Sequence, residues 1–427
     1  MKKIKLFLLT CLSAGGFLFG ADYDVIVDPN FSPYMGGQDL ISGFKTLQVV
    51  EDALIPPTDP QREGWGPATG RLAELVLVWN PLGQIATVTQ HEVFGHGYRI
   101  RDIGKDHAKV KGYKLGWPFP YSIEEVGGAT LFTATDKMTV AQLNSINIAG
   151  IEAQDILARQ LKMKWIADRR IDGRTSQLYF LSQQALFLYA VASHENELEL
   201  KGIVDEDPFD GDDLKSYTFW INQMYPDDKL TSSKLRSKAG LNYIDGFTYY
   251  SVYAWWYYVM CGKPAVVPMM ELWGISYLPN YKLALAPYGL ENYVENFFAK
   301  GDRPYYLYVK WGDRGGNHYW GAGFEGTELF YWKKGTLGFK ADIWRQPDFL
   351  QPTRVIDVLN DRASAAVPGL KQNRYGAAGS LVSKIHLGGQ AVPFSLYLEG
   401  GYKSQGYLPG YSLEKGFVGR VGLSGKF

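Results

Sequence analysis

Cysteine is nearly absent from this chain of 427 residues, which has only Cys11 and Cys261. Cys11 falls within the first twenty residues, so a chain trimmed of them has no intramolecular disulfide, no Cys-based metal site and no Cys-pair redox site. An excess of one charge is missing too. Lys plus Arg equals Asp plus Glu at 44 each, which leaves no net field to draw the chain to nucleic acid. Past the start, no stretch reaches 18 uninterrupted apolar residues, which argues against a spanning helix. The nearest two are Leu72 to Val88, interrupted by Asn80-Pro81, and Gly246 to Met260, aromatic but short; both read as buried core helices. With cysteine excluded, any metal must be held by histidine and carboxylate.

What is present suits a large folded chain. Hydrophobic residues make up 46% and charged residues 21%, enough for a sizeable core and two domains. The 29 Tyr, 12 Trp and 48 Gly suit β-rich structure and membrane interfaces. Basic Lys2, Lys3 and Lys5 precede an apolar run from Leu6 to Phe19, so residues 1–20 read as a secretory signal with cleavage after Gly20. Leu9-Thr10 before Cys11 departs from the lipoprotein pattern. Residues 21–69, with the Pro-rich Ile55 to Pro60 and one helix near 40–54, read as a lead-in segment. Helical patterns at 70–79, 82–97, 138–165, 174–197, 211–224 and 246–260 define a mainly helical domain over 70–275, interrupted by a hairpin within 109–135.

From 280 to 427 the period changes to two. Phe417, Gly419, Val421 and Leu423 alternate with Val418, Arg420, Gly422 and Ser424; Leu396 and Leu398 alternate with Tyr397 and Glu399; Leu307, Val309 and Trp311 alternate with Tyr308 and Lys310. Such alternation implies one-sided burial. Segments near 318–331 and 376–388, and one near 281–298, bring the count to six to eight antiparallel strands. The fold class expected is therefore α+β, a helical domain followed by an antiparallel β domain. The last strand ends on aromatic Phe427 and resembles the terminal strand of bacterial outer-membrane β-barrels, so a barrel is expected in preference to a sandwich.

The chemistry concentrates in His91-Glu92-Val93-Phe94-Gly95-His96. Two imidazoles and a carboxylate are the toolkit of a zinc hydrolase, but at i and i+5 the histidines of a regular helix would be about 140° apart. A π-bulge absorbs one inserted residue and returns the second histidine to the first one's face, and Gly95 makes little steric demand on such a turn. Among the other histidines, His107, His318 and His386 have no carboxylate constellation, and His194 reads as a solvated helix end before an oxyanion donor.

This motif resembles the HExxxH helix of the dipeptidyl peptidase III metallopeptidases and, less directly, the HExGH helix of other zincins. The resemblance implies His91 and His96 as zinc ligands, Glu92 as general base, and a glutamate on a later helix as third ligand, the gluzincin arrangement. Glu152, next to Gly150 and Ala153 in the 138–165 helix, is the first choice, with Asp155 one turn on available to orient a histidine. The family pattern has paired glutamates where this chain has one, and the pair Glu124-Glu125 is the competing source. Gly127 to Thr133 is the candidate edge strand for an extended peptide or protein substrate. The expected function is an exported zinc metallopeptidase with outer-membrane association. The alternatives are a non-enzymatic outer-membrane protein with a relic site, and a metal-dependent hydrolase of another ester or amide.

Overall fold

The structure, a computed structural model, describes residues 22–55, 64–123, 127–192, 212–360, 372–388 and 394–426. The expected signal at 1–20, Glu124-Glu125, His194 and Phe427 lie outside them. The lead-in supplies strand β1 (Asp22–Val27) and helix α1 (Pro33–Leu54), whose N-cap Ser32 accepts from the Met35 N–H. Helix α2 (Trp65–Glu74) runs through a π-turn at Leu75–Trp79 into α3 (Asn80–His91). Pro81 therefore falls in the first turn of α3 and leaves the helical run unbroken. A second π-turn, Glu92–His96, leads into α4 (Gly97–Ile103). The hairpin of β2 (Ala108–Leu115) and β3 (Gly128–Ala134) follows.

Helix α5 (Val140–Asp168) is the central element and is buried on all sides. A capping box between Thr139 and Gln142 starts it, and left-handed Arg169 ends it. After β4 (Arg170–Ile171), the helix expected over 174–197 proves to be two, α6 (Ser176–Gln183) and α7 (Ala185–Ala192), broken at Gln184. Then come α8 (Asp213–Met224), α9 (Ser232–Ala239), α10 (Gly246–Cys261) and β5 (Ala265–Val266), which pairs with β4.

The rest of the chain builds the large sheet: β6 (Met270–Leu272), β7 (Ile275–Ala286), β8 (Gly289–Lys300), β9 (Arg303–Arg314), β10 (Asn317–Trp332), β11 (Gly335–Pro347), β12 (Asn373–His386), β13 (Phe394–Lys403) and β14 (Gly416–Lys426), with α11 (Val355–Asn360) between β11 and β12. All pairings are antiparallel, in the order β1-β14-β13-β12-β11-β10-β9-β8-β7-β6. The molecule is thus α+β, but its ten strands form one open sheet, neither the expected barrel nor a sandwich. The count exceeds six to eight because the 281–298 segment is a hairpin, β7 and β8, and because β1 of the lead-in and the short β6 before the expected β region join the sheet.

The sheet buries its polar face. Glu291, Glu295, Lys310, Lys340, Glu399 and Arg420 all point inward and are buried, while Val309, Ile343, Leu381 and Val421 on the opposite parity are exposed. Helix α5 meets this inner face through charge, because Asp155, Arg159 and Lys162 share one helical stripe. Asp155 pairs with Lys282 at 3.0 Å, Lys162 with Glu295 at 3.2 Å and Arg159 with Glu325 at 3.9 Å. Along the sheet, Lys310 pairs with Glu291 at 2.8 Å, and Glu399 holds both Arg420 and Lys340. Buried charges are tolerated when partnered in this way. The apolar core is built by the helices together with β7–β10, with Leu75, Leu157, Ile166, Phe247 and Phe297 in one cluster and Ile146, Ile148, Trp220, Ile221 and Leu285 in another. Helix α10 is not the buried core helix its composition suggests, since Tyr249, Tyr253 and Trp256 stand exposed along one face.

Candidate metal centre

Residues Glu92–His96 form the wide turn that the i, i+5 spacing requires, and the two imidazoles meet, Nε2 to Nε2, at 3.0 Å. Two glycines make room. A Cβ on Gly95 would stand 2.6 Å from the Ala149 carbonyl oxygen, and one on Gly150 would stand 2.2 Å from His91 Nε2. The π-turn and α5 can therefore cross in close contact, with the His91 ring lying over Gly150.

The acidic group that joins the histidines is Asp213, the first residue of α8. Its Oδ2 lies 2.9 Å from His96 Nε2 and 3.2 Å from His91 Nε2. Asp212 caps the helix by accepting from the Lys215 N–H, which fixes the turn that carries Asp213. The outer nitrogens settle the tautomers. His96 Nδ1 donates to the Ile146 carbonyl oxygen at 2.8 Å, and His91 Nδ1 donates to Gln154 Oε1 at 2.9 Å. Both Nε2 lone pairs thus face inward, toward each other and toward a carboxylate oxygen. Three acceptors converging at such distances repel one another unless a cation lies between them. Tetrahedral zinc with ligand bonds of about 2.0–2.1 Å spaces its ligand atoms about 3.3 Å apart, close to what is seen.

The electrostatics of the metal-free site say the same. Burial disfavours the charged form of His96, yet the Asp213 carboxylate, helped by Glu92, brings its pKa up to about 9. Burial alone would raise the Asp213 carboxyl, but the charge on His96 and hydrogen bonds from both histidines hold it well below the usual carboxylate range. Without a metal, a proton takes the cation's place. The His91-His96-Asp213 group could therefore hold a metal ion, and it is the only such group of three among the described residues.

Glu92 is buried beside this group. Thr130 Oγ1, on β3, lies 2.7 Å from Glu92 Oε2, and Gly128 at the start of β3 lets the strand approach, since a Cβ there would stand 2.8 Å from Glu92 Cγ. Tyr189 on α7 stacks on His91 with ring planes 7° apart, and its hydroxyl reaches His91 Nε2 at 3.2 Å.

Glu152, expected as third ligand, is committed elsewhere. Its carboxylate accepts from Arg99 Nη2 at 3.0 Å, from the Gly410 N–H at 2.6 Å and from the Tyr407 hydroxyl at 3.1 Å, which ties α5 to α4 and to the loop before β14. The close helix approach that Gly150 permits serves His91 instead. Asp155 pairs with Lys282, and the group orienting His91 is its neighbour Gln154. His386 bonds Ser395, and His107 bonds the Lys137 carbonyl. Sequence reasoning missed Asp213, Gln154, Thr130 and Tyr189. Asp213 follows an N-cap aspartate and reads as an ordinary acidic residue of a first helical turn.

Comparison with known protein families, with curated proteins and with solved structures gives no match, so the geometry of the site carries the functional reading by itself.

Proposed function

We propose that this protein is an exported zinc-dependent hydrolase, a metallopeptidase acting on peptide or protein substrates, with zinc held by His91, His96 and Asp213. The observation that carries the reading is the convergence of His91 Nε2, His96 Nε2 and Asp213 Oδ2, with both Nδ1 protons committed outward. Three protein ligands leave one tetrahedral position for water or substrate. A zinc ion there supplies Lewis acidity and lowers the pKa of a water molecule.

The chain's own residues supply the rest. Glu92, steadied by Thr130, takes the proton of the attacking water and passes it to the leaving amine. The Tyr189 hydroxyl, beside the ligand nitrogen of His91, donates to the oxyanion that develops on the scissile carbonyl. Among the described residues strand β3 pairs with β2 alone, and its other edge, next to Glu92, is where an extended peptide backbone would add.

We assign the protein to the outer membrane of a Gram-negative-type bacterium. The basic and apolar start of the chain and the outward apolar face of the sheet support this location. That face also favours a second reading, an outer-membrane protein without enzymatic activity whose metal site is a relic. Peptide-library cleavage by wild type and Glu92→Gln separates the two. The enzyme reading expects full zinc content in both and a loss of roughly 10²–10⁴-fold in kcat in the variant. Equal rates in the two proteins, or none in either, would favour the relic.

A further inference from the structure

The outer face of the sheet is arranged like a surface that never meets water. Across the sheet, Val294, Val309, Ala322, Ile343 and Ala377 form one row on that face, and no outer-face position between this row and the row of Leu337, Ser383, Leu398 and Val421 carries a charge. Its outward asparagines are turned in on themselves. Asn296 accepts from the Tyr277 hydroxyl at 2.8 Å, and Asn292 accepts from the Tyr281 hydroxyl at 2.7 Å. At one end of the strands Trp311, Trp320, Arg345 and Tyr375 form a register row; at the other stand Arg303, Tyr331 and Trp332. Trp, Tyr and Arg are the residues that sit at the headgroup level of a bilayer. From Arg345 to Gly335 is about ten residues or 33 Å of strand, which at roughly 40° of tilt covers about 25 Å of bilayer height.

An open sheet in lipid faces an obstacle, because unpaired edge N–H and C=O groups are not tolerated in hydrocarbon. Here side chains from neighbouring helical segments take up edge groups of β1 and β7. On β1 the Asp24 N–H donates to Ser42 Oγ, which in turn donates to the Asp24 carbonyl at 2.7 Å, and the Ile26 N–H donates to Asp39 at 2.9 Å. Both acceptor side chains belong to α1. At the other edge the Asn242 amide mimics a neighbouring strand, accepting from the Leu283 N–H and donating to the Leu283 carbonyl, while Pro279 has no N–H to leave open. The gap between the edges is also clad in apolar groups. Helix α1 exposes Leu47, Val50 and Leu54, and α10, which has no charged residue, exposes Tyr249, Tyr253 and Trp256. Arg71 of α2 turns inward to the Val259 carbonyl at 2.8 Å, leaving Gly66, Thr69, Gly70 and Ala73 outside.

We propose that a belt of bilayer hydrocarbon runs all the way round this molecule, covering the outer sheet face and continuing over α1, α2 and α10, which seal the shell in place of strand-to-strand closure and leave the β2–β3 hairpin outside the belt. The inference rests on the outer-membrane assignment and deepens it. A second copy of the chain would cover one side, whereas the apolar surface continues over the outer sheet face and over α1 and α10, and the part-exposed charges of α1, Lys45 and Asp52, are paired with Asp168 and Arg174.

The test uses the full chain with both cysteines replaced by serine, carrying single cysteines at Val309, Leu381, Val50 or Tyr253, each labelled with an environment-sensitive fluorophore. The variants are reconstituted into phosphatidylcholine vesicles with and without brominated acyl chains. The proposal expects at least twofold quenching by brominated lipid at all four positions and little quenching by aqueous iodide. Quenching at Val309 and Leu381 with iodide access at Val50 and Tyr253 would overturn the helical seal and leave the membrane location standing. Failure of the wild-type protein to enter vesicles, with alkaline extraction from native membranes, would overturn both. Fluorophore energy transfer between copies at Tyr253 that persists on lipid dilution would assign the helical face to a second copy and overturn the proposal.

Discussion

His91 is held from three directions: Gln154 fixes its tautomer, Tyr189 stacks on it and Gly150 leaves room for its ring. Gly150→Ala would ordinarily stabilise a helix by about 1 kcal/mol. Here the added methyl collides with the ligand nitrogen, so zinc affinity measured by chelator competition should fall roughly 10–100-fold, the range seen when groups supporting a ligand are lost. An unchanged affinity would mean that the ring does not bind metal in this position. His96 makes a pH prediction. Its pKa of about 9 in the metal-free site exceeds the ordinary 6.5, so its proton contributes stability that is complete below pH 6.5 and is lost as the pH rises through 9. Thermal unfolding of the metal-free protein should therefore move to lower temperature across that window, and saturating zinc, which needs neutral His96, should reverse the trend. Glu152→Ala should cost about 1–3 kcal/mol in a denaturant titration by leaving buried Arg99 with Asp102 as its one carboxylate partner and the Gly410 N–H and Tyr407 hydroxyl without their acceptor.

At the scale of elements, the π-turn was legible because His91 and His96 are useless to one metal without it, and Gly95 marked where it could form. Asp213 was not. It lies 117 positions from His96, and its role exists only because the fold packs α8 against the turn. Glu152 resembles the glutamates of gluzincin helices in its local sequence, while its partner Arg99 lies 53 positions away and leaves no local signal. The strands show a different limit. A period of two reveals two faces but not which is buried, and the deciding information is the matching stripe of Asp155, Arg159 and Lys162 on α5. Gly95→Ala tests the close crossing of that helix with the π-turn. The new methyl meets backbone atoms of Ala149 and Gly150, and a loss of about 1–3 kcal/mol is expected. A neutral or stabilising outcome in urea would contradict the crossing.

For the whole molecule, the open sheet packs its polar face on α5 through Asp155, Arg159 and Lys162, and the same helix backs the metal group through Ile146, Gly150 and Gln154. The composition hinted at such a sheet through its aromatics and glycines, yet alternation alone suggested closure into a barrel, because nothing in a strand sequence says that Ser42, Asp39 and Asn242 will take up its edge groups. A charge on the outer face is the direct probe of this architecture. Val309→Arg should lower folding stability in vesicles by about 2–4 kcal/mol, whereas Asp313→Arg, near the strand end, should change it by about 0–1 kcal/mol. The metal centre remains the central claim, and zinc content per chain of Asp213→Ala and Glu152→Gln, purified side by side, tests it most directly. Near-zero zinc in Asp213→Ala and near one zinc in folded Glu152→Gln is the expected result; the reverse pattern would contradict the His91-His96-Asp213 site.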